Sequence, residues 1–238
     1  MAARRSIQGI RLVLLLVFAV ASWFFGKPKD QDHKGGAKWA GESGRPKTSS
    51  SSSPSSTPPS PPAAVTRTGA YETYSGCRYE ENRQNDGDSF RVRLPDGRVE
   101  QFRLYFVDCP ESDFRTYADG DDNHDRIRHQ AQAFGITDEQ AVQVGKRAKA
   151  RVQELLGDAS FTLYTHWEDP YGDQRYHAFI LPPGGPFLEE TLVREGLVRI
   201  YTKPADMPDG TQANQRQAQL RDLEREAKKA KRGAWGMR

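Results

Sequence analysis

The sequence predicts a small α+β domain that opens with a β-meander and sits behind an N-terminal appendage of different composition. Three observations lead there. Charge is split along the 238 residues: residues 1–67 hold ten Lys and Arg against three Asp and Glu, net +7, whereas residues 68–238 hold 25 against 29, net −4. Apolar residues recur with period two after Cys77 and with a helical period from Ala141 onward. The mean hydropathy of −0.81 is therefore an average over two unlike parts. The isoelectric point near 8.8 belongs to the appendage and gives no ground for nucleic-acid binding by the body. Two cysteines exclude a disulfide-dense scaffold and a Cys-built zinc centre.

The appendage reads as an address followed by a spacer. Arg4, Arg5 and Arg11 precede an unbroken apolar run from Leu12 to Phe25. That run is short of the ~20 residues of a membrane span and fits the ~7–15 of a signal-peptide core. Residues 1–26 are thus a signal peptide or an uncleaved anchor. Ala19-Val20-Ala21 offers a cleavage site, and Trp23-Phe24-Phe25 argue for retention. Either way the body is expected outside the cytoplasm, secreted, periplasmic or tethered through residues 12–25. Residues 27–67 form a disordered linker, since Thr48 to Pro62 is entirely Ser, Thr and Pro.

The body, residues 68–238, then reads element by element. Phe90, Val92 and Leu94 alternate with Arg91 and Arg93, and Pro95-Asp96-Gly97 marks a tight turn. Val99 to Val107 is the returning strand, with Phe102, Leu104 and Phe106 on one face. Further strands are expected at residues 161–167 and 175–181. Thr137 and Gln140 make a capping box ahead of the stripe Ala141, Val144, Ala148, Val152 and Leu155, which ends at Gly157. Residues 187–197 form a shorter amphipathic helix. A long polar helix covers residues 213–232, supported by Glu224 and Lys228 and ended by Gly233. Residues 122–134 add a turn or two of helix.

Two carboxylate-bearing bends carry candidate chemistry. In Asp86-Gly87-Asp88 the glycine permits a sharp turn between flanking acids, and a plain β-turn is the alternative. Asp108-Cys109-Pro110-Glu111 closes a strand, and alone is a strand terminator. Arg103 between them changes that reading. These segments resemble the staphylococcal nuclease-like (thermonuclease) family. The resemblance rests on Asn85-Asp86-Gly87-Asp88-Ser89, Phe102-Arg103-Leu104, Val107-Asp108-Cys109-Pro110-Glu111 and Asp169-Pro170-Tyr171-Gly172. Leu192-Val193-Arg194-Glu195-Gly196-Leu197, Lys203-Pro204 and Trp235 follow in the family's order, over roughly residues 75–236.

The resemblance implies a five-stranded OB-type β-barrel with three main helices, a staphylococcal nuclease-like α+β fold. It also implies calcium-dependent hydrolysis of phosphodiester bonds in DNA, RNA or both. Asp88, Asp108 and the Cys109 carbonyl match the metal ligands, and Asp86 a carboxylate acting on the metal through water. Glu111 matches the general base, Arg103 the first phosphate-binding arginine and Tyr171 a tyrosine near the phosphate. Arg175 takes the second catalytic arginine's role if Asp173-Gln174 is a two-residue insertion, because Arg175, Ala178 and Ile180 keep the family's spacing. Tyr201 stands for the tyrosines of the nucleotide pocket. Cys109 replaces the usual Thr, and the stretch after Glu111 is longer than the family's.

These residue types suit the reaction. Calcium takes oxygen ligands, and so few protein ligands imply binding near the ~10⁻⁴–10⁻³ M of extracellular modules. Arginine forks make bidentate contacts to phosphate that lysine cannot. The alternatives are a non-catalytic nucleic-acid- or peptide-binding barrel, and an envelope-associated structural or sugar-binding module. Asp119 to Asp125 imitates an EF-hand loop, but His124 stands where Gly is needed and Gln130 where Glu is needed. His177 shares a strand face with Arg175 and could approach the phosphate or pack in the core. Cys77 and Cys109 are expected to be free thiols. Nucleic acid is the implied partner, and no obligate protein partner is evident.

Overall fold

The computed structural model describes residues 65–118 and 120–238. The leader, nearly all of the linker and Asp119 lie outside the described residues. Among those described, no helix is long and apolar enough to cross a membrane.

The sheet begins with β1 (Thr66–Thr68), across the end of the stretch read as linker, and β2 (Tyr71–Glu80), ahead of the first expected strand. β2 carries its apolar residues irregularly because a bulge interrupts it between Ser75 and Cys77, with Gly76 at φ 86°. A bulge bends a strand and resets its alternation. The bend lets β2 serve two neighbours besides β1. Its far half pairs with β3 (Ser89–Arg93), and most of its length pairs with β6 (Ser160–Thr165).

β3 has the expected alternation, with Phe90 and Val92 buried and Arg91 and Arg93 exposed. The turn after it closes through the Gly97 N–H donating to the Leu94 carbonyl at 2.9 Å. β4 (Val99–Leu104) returns antiparallel, setting Ser89 opposite Arg103. β7 (Arg175–Leu181) lies parallel to β4, with His177 opposite Arg103, and pairs antiparallel with β6. Among the described residues the sheet thus has six strands where five are expected, in the order β1-β2-β3-β4-β7-β6; β6 also pairs with β2, which has three neighbours, and the sheet is OB-like.

The expected strand to Val107 breaks early. Tyr105 and Phe106 are both fully buried, and Phe106 adopts φ 67°, outside the extended region. Its N–H donates to the Lys203 carbonyl at 3.0 Å and its carbonyl accepts the Tyr201 N–H at 2.8 Å. This redirects the chain into β5 (Val107–Asp108), which pairs with β8 (Arg199–Ile200) in a second, two-stranded sheet.

Among the described residues four α-helices are present, one more than the three main helices expected: α1 (His124–Phe134), α2 (Asp138–Leu156), α3 (Leu188–Arg194) and α4 (Ala213–Lys229). The α2 capping box forms in both directions, and Ala141, Val144, Ala148 and Val152 are wholly buried. One apolar cluster joins the sheet to α2, α3, α4 and Trp235. The extra helix, α1, buries Ile127, Ala131 and Phe134 but interrupts that face with a buried Gln130. It packs on α2 through Ile127 and Ala131 against Ala141 and Val142. An 11-residue helix with so narrow an apolar face depends on tertiary packing, so its periodicity is weak in the sequence.

Both cysteines are free and buried. Burial pushes the Cys77 thiol up to about 12. His177 is packed in the core, fully buried, with neither ring nitrogen hydrogen-bonded. Burial, aided by the Arg103 charge, lowers its pKa to about 4. The unfolded chain, with a histidine near ~6.5, takes up that proton first, so stability falls as pH drops from about 6.5 towards 4. Urea unfolding at pH 7 and pH 4.5 should show His177→Leu losing about 2 kcal/mol less than the native chain over that interval. Equal losses would mean that His177 is not buried neutral.

Candidate functional site

The two carboxylate-bearing bends meet because their strands are neighbours. The β3–β4 register places Arg103 beside the Asp88 backbone, and the Leu104 N–H donates to the Asp88 carbonyl at 2.8 Å. Asp86 shapes the bend: its Oδ1 accepts the N–H groups of Asp88 at 3.2 Å and Ser89 at 2.7 Å. Gly87 is needed for room rather than for an unusual φ. A Cβ there would stand 2.6 Å from both the Ala148 Cβ and the Cys109 Sγ. The bend is thus pressed between α2 and the second carboxylate segment.

Arg103 joins the two acids. Its Nη2 donates to Asp88 Oδ2 at 3.1 Å and Asp108 Oδ1 at 3.2 Å, and all three side chains are almost wholly buried. Glu111 enters through a residue that the sequence reading did not assign, Arg126 of α1. Arg126 Nε lies 3.2 Å from Glu111 Oε1 and its Nη2 lies 3.5 Å from Asp108 Oδ1. Arg199, cross-strand from Asp108 in the β5–β8 pair, donates from Nε to Asp108 Oδ2 at 2.8 Å. Its guanidinium also covers the Tyr201 ring at 4.1 Å. Gln130 completes the cluster from the helical turn after Arg126. Its Nε2 donates to Asp108 Oδ2 at 3.2 Å and to the Cys109 carbonyl at 2.8 Å, while its Oε1 accepts the Glu111 N–H at 3.0 Å.

The expected residues are therefore unequally placed. Asp86, Asp88, Arg103, Asp108, Cys109 and Glu111 come together. Arg175 lies on the same face of the sheet as Arg103, two residues from His177, but its Nε donates to Asp173 at 2.8 Å and it touches none of the cluster's acids. Tyr171 is half exposed, 6.3 Å from the His177 ring, and Tyr201 is 70% exposed. Arg126, Gln130 and Arg199 went unassigned. The signal for the first two was a buried polar residue on α1's apolar face, four residues after an arginine. Gln130 had entered only as the wrong residue at the end of an EF-hand-like loop.

Charge is finely divided within the cluster. Burial, then the neighbouring Asp88, raises the Asp86 carboxyl well above the carboxylate range. Burial is the largest single influence on Asp88 and works against its charge, but Arg103, the Asp86 carboxyl and Arg126 together outweigh it and keep Asp88 below that range. The two acids of one bend thus divide a single proton unevenly. The Cys109 thiol is pushed well up by burial and by the nearby acids, so sulfur stays protonated and only its carbonyl can bind a cation.

Two observations fit a hard divalent cation. Asp88 Oδ1 is buried without a hydrogen-bond partner. The donors in reach, Asp88, Asp108 and the Cys109 carbonyl, are all oxygens, as calcium requires. Against that, protein donors occupy both Asp108 oxygens and the Cys109 carbonyl. Among the described residues no group of three or more His, Cys, Asp or Glu side chains is arranged to hold a metal ion.

Gln130 holds the Asp108–Glu111 segment at Asp108, Cys109 and Glu111, so its amide matters to folding. Gln130→Leu leaves the Glu111 N–H and the Cys109 carbonyl buried without their partner and should cost about 2–4 kcal/mol in chemical unfolding. A change below ~0.5 kcal/mol would show that water replaces the amide.

No curated protein matches the chain. A family model described as staphylococcal nuclease homologue matches residues 101–237. The match takes in Arg103, Asp108, Cys109, Glu111, Tyr171, Arg175 and Tyr201, and also Arg126, Gln130 and Arg199; Asp86 and Asp88 precede it. Because it spans more than half of the sequence, the chain belongs to the staphylococcal nuclease homologue family, a family of nucleases.

Proposed function

We propose that the protein is a calcium-dependent phosphodiesterase that hydrolyses DNA, RNA or both. The observation that carries this reading is the buried Arg103 guanidinium shared between Asp88 and Asp108, with Glu111 tied to the same cluster through Arg126. A phosphodiester is an anion, and this cluster offers it fixed cations beside a carboxylate base.

Glu111 accepts a proton from the water that attacks phosphorus, and Arg126 holds that carboxylate in place. The P–O bond to the departing oxygen breaks as the new one forms. Arg103 keeps its Nε–H without a partner, so it has a donor to give to a phosphate oxygen as charge builds there. Arg175 reaches phosphate from the same sheet face on release from Asp173. Tyr171 and Tyr201, both exposed, flank the nucleotide. When held by Asp88, Asp108 and the Cys109 carbonyl, with Asp86 acting through water, calcium supplies Lewis-acid polarisation of the phosphate. Export or tethering through residues 12–25 belongs to the same proposal, since a site with so few ligands needs calcium at extracellular levels.

A non-catalytic nucleic-acid-binding module is favoured by one observation: Asp108 and Arg175 are already engaged within the protein. Incubating the full chain with DNA and RNA, in millimolar calcium and then in chelator, separates the two. Cleavage that chelator abolishes supports the enzyme, and intact substrate in both excludes it.

Residue roles make a further prediction. Glu111→Gln should lower turnover at least ~10²-fold with an unchanged melting temperature. Arg175→Ala should slow cleavage, whereas Arg93→Ala, which removes an ion pair to Glu80 on the outer surface, should not. Equal effects of the two arginine substitutions would remove Arg175 from the mechanism.

A further inference from the structure

Beside the carboxylate cluster runs a groove of about 830 Å³ that no assigned residue lines. One wall is the loop that leaves Glu111, and the other is α2. Lys146 and Lys149 stand one turn apart on that helix, so they project from one face. Arg115 faces them from the loop, and Arg83, in the β2–β3 connection just before Asp86, closes the end.

The walls are held in place. Gly145 lets α2 lie directly on the Pro110 and Glu111 backbone, where a Cβ would collide with both carbonyls. Asn123 pins the loop, accepting the Arg115 N–H at 2.8 Å and donating to the Asp113 carbonyl at 2.9 Å. The Phe114 ring meets His124 edge-on at 5.2 Å.

The chemistry of the lining is one-sided. Four cations face one carboxylate, Asp113, in a body whose net charge is −4. Among the described residues, Arg83, Arg115 and Lys146 make no ion pair, and Lys149 gives its ammonium to the Arg83 carbonyl at 3.0 Å. Phe114 and Tyr117 are 39% and 49% exposed, although large apolar side chains are otherwise mostly covered. Cations that follow a phosphate backbone, interleaved with open aromatic faces, are what unpaired bases need; a duplex keeps its bases stacked on one another.

We infer that this groove binds single-stranded nucleic acid and holds the nucleotides that flank the scissile phosphate. The inference rests on the nuclease reading for its direction, because the lining residue Ser112 follows Glu111 and the lining residue Gln84 stands two positions before Asp86. It sets the substrate class as unpaired strands several nucleotides long, held by charge and stacking without sequence readout.

The test is anisotropy of fluorescein-labelled oligothymidylates, two and ten nucleotides long, with the full chain in chelator so that nothing is cleaved. The Arg115→Ala/Lys146→Ala variant should bind the ten-mer at least tenfold more weakly and the two-mer unchanged. Its salt slope should flatten by about 1.4, the share of two cations on a single strand. Phe114→Ala/Tyr117→Ala should weaken the ten-mer with an unchanged slope. Ten-mer affinity within twofold of the native chain in both variants would overturn the groove. An equal loss on a ten-base-pair duplex would overturn its preference for single strands. Because binding is read without turnover, a chain that cleaves nothing yet shows these losses keeps the groove and loses the nuclease. A chain that cleaves with calcium but shows no losses keeps the nuclease and loses the groove.

Discussion

One buried guanidinium holds the functional half of this molecule together. Arg103 spans Asp88 and Asp108, which come from different bends, and its charge helps to keep Asp88 below the carboxylate range in spite of burial. Such a bridge adds little net stability where the same space could be filled by apolar side chains, yet removing Arg103 leaves Asp88 buried without its ion pair, while Asp108 keeps Arg126 and Arg199. That asymmetry turns a modest interaction into a constraint. The bend at Asp86–Asp88, the strand end at Asp108 and the start of the loop at Glu111 are positioned together or not at all. The glycines follow from it: Gly87 and Gly145 sit where α2 closes on these segments and no Cβ can be accommodated.

Around that bridge the protein concentrates positive charge despite its acidic body. Arg126 and Arg199 add two guanidiniums to Arg103, and Arg83, Arg115, Lys146 and Lys149 extend the field along the adjoining groove. Local potential, shaped by low-dielectric walls, governs the capture of a polyanion more than net charge does. The same arrangement leaves the site over-supplied with internal donors. Asp108 receives hydrogen bonds from four side chains, two of them from α1. α1 is therefore part of the site, since it sets which oxygens are open and steadies Glu111.

Much of the architecture was legible in the chain because local rules agreed with the fold. The β3 alternation, the turn at Gly97, the Thr137 capping box and the stripe on α2 each express a periodicity that burial then uses. β7 was bounded correctly. β2 escaped because a bulge broke its period, and α1, expected as a turn or two over residues 122–134, is a full 11-residue helix whose apolar face one polar residue interrupts. The early end of β4 followed from Phe106 adopting a backbone conformation that no sequence rule assigns to phenylalanine.

For the site, the order of short motifs was enough to name Asp86, Asp88, Arg103, Asp108 and Glu111 as one constellation, because residue identity and order along strands carry that information. Which cations complete it was decided only in three dimensions. Arg126, Gln130 and Arg199 reach Asp108 by helix packing and by pairing between strands some ninety residues apart, and Arg175 turns to Asp173 instead. Sequence records what a side chain can do; the fold decides which partner lies within hydrogen-bond reach, because contacts between distant segments depend on how the whole core packs.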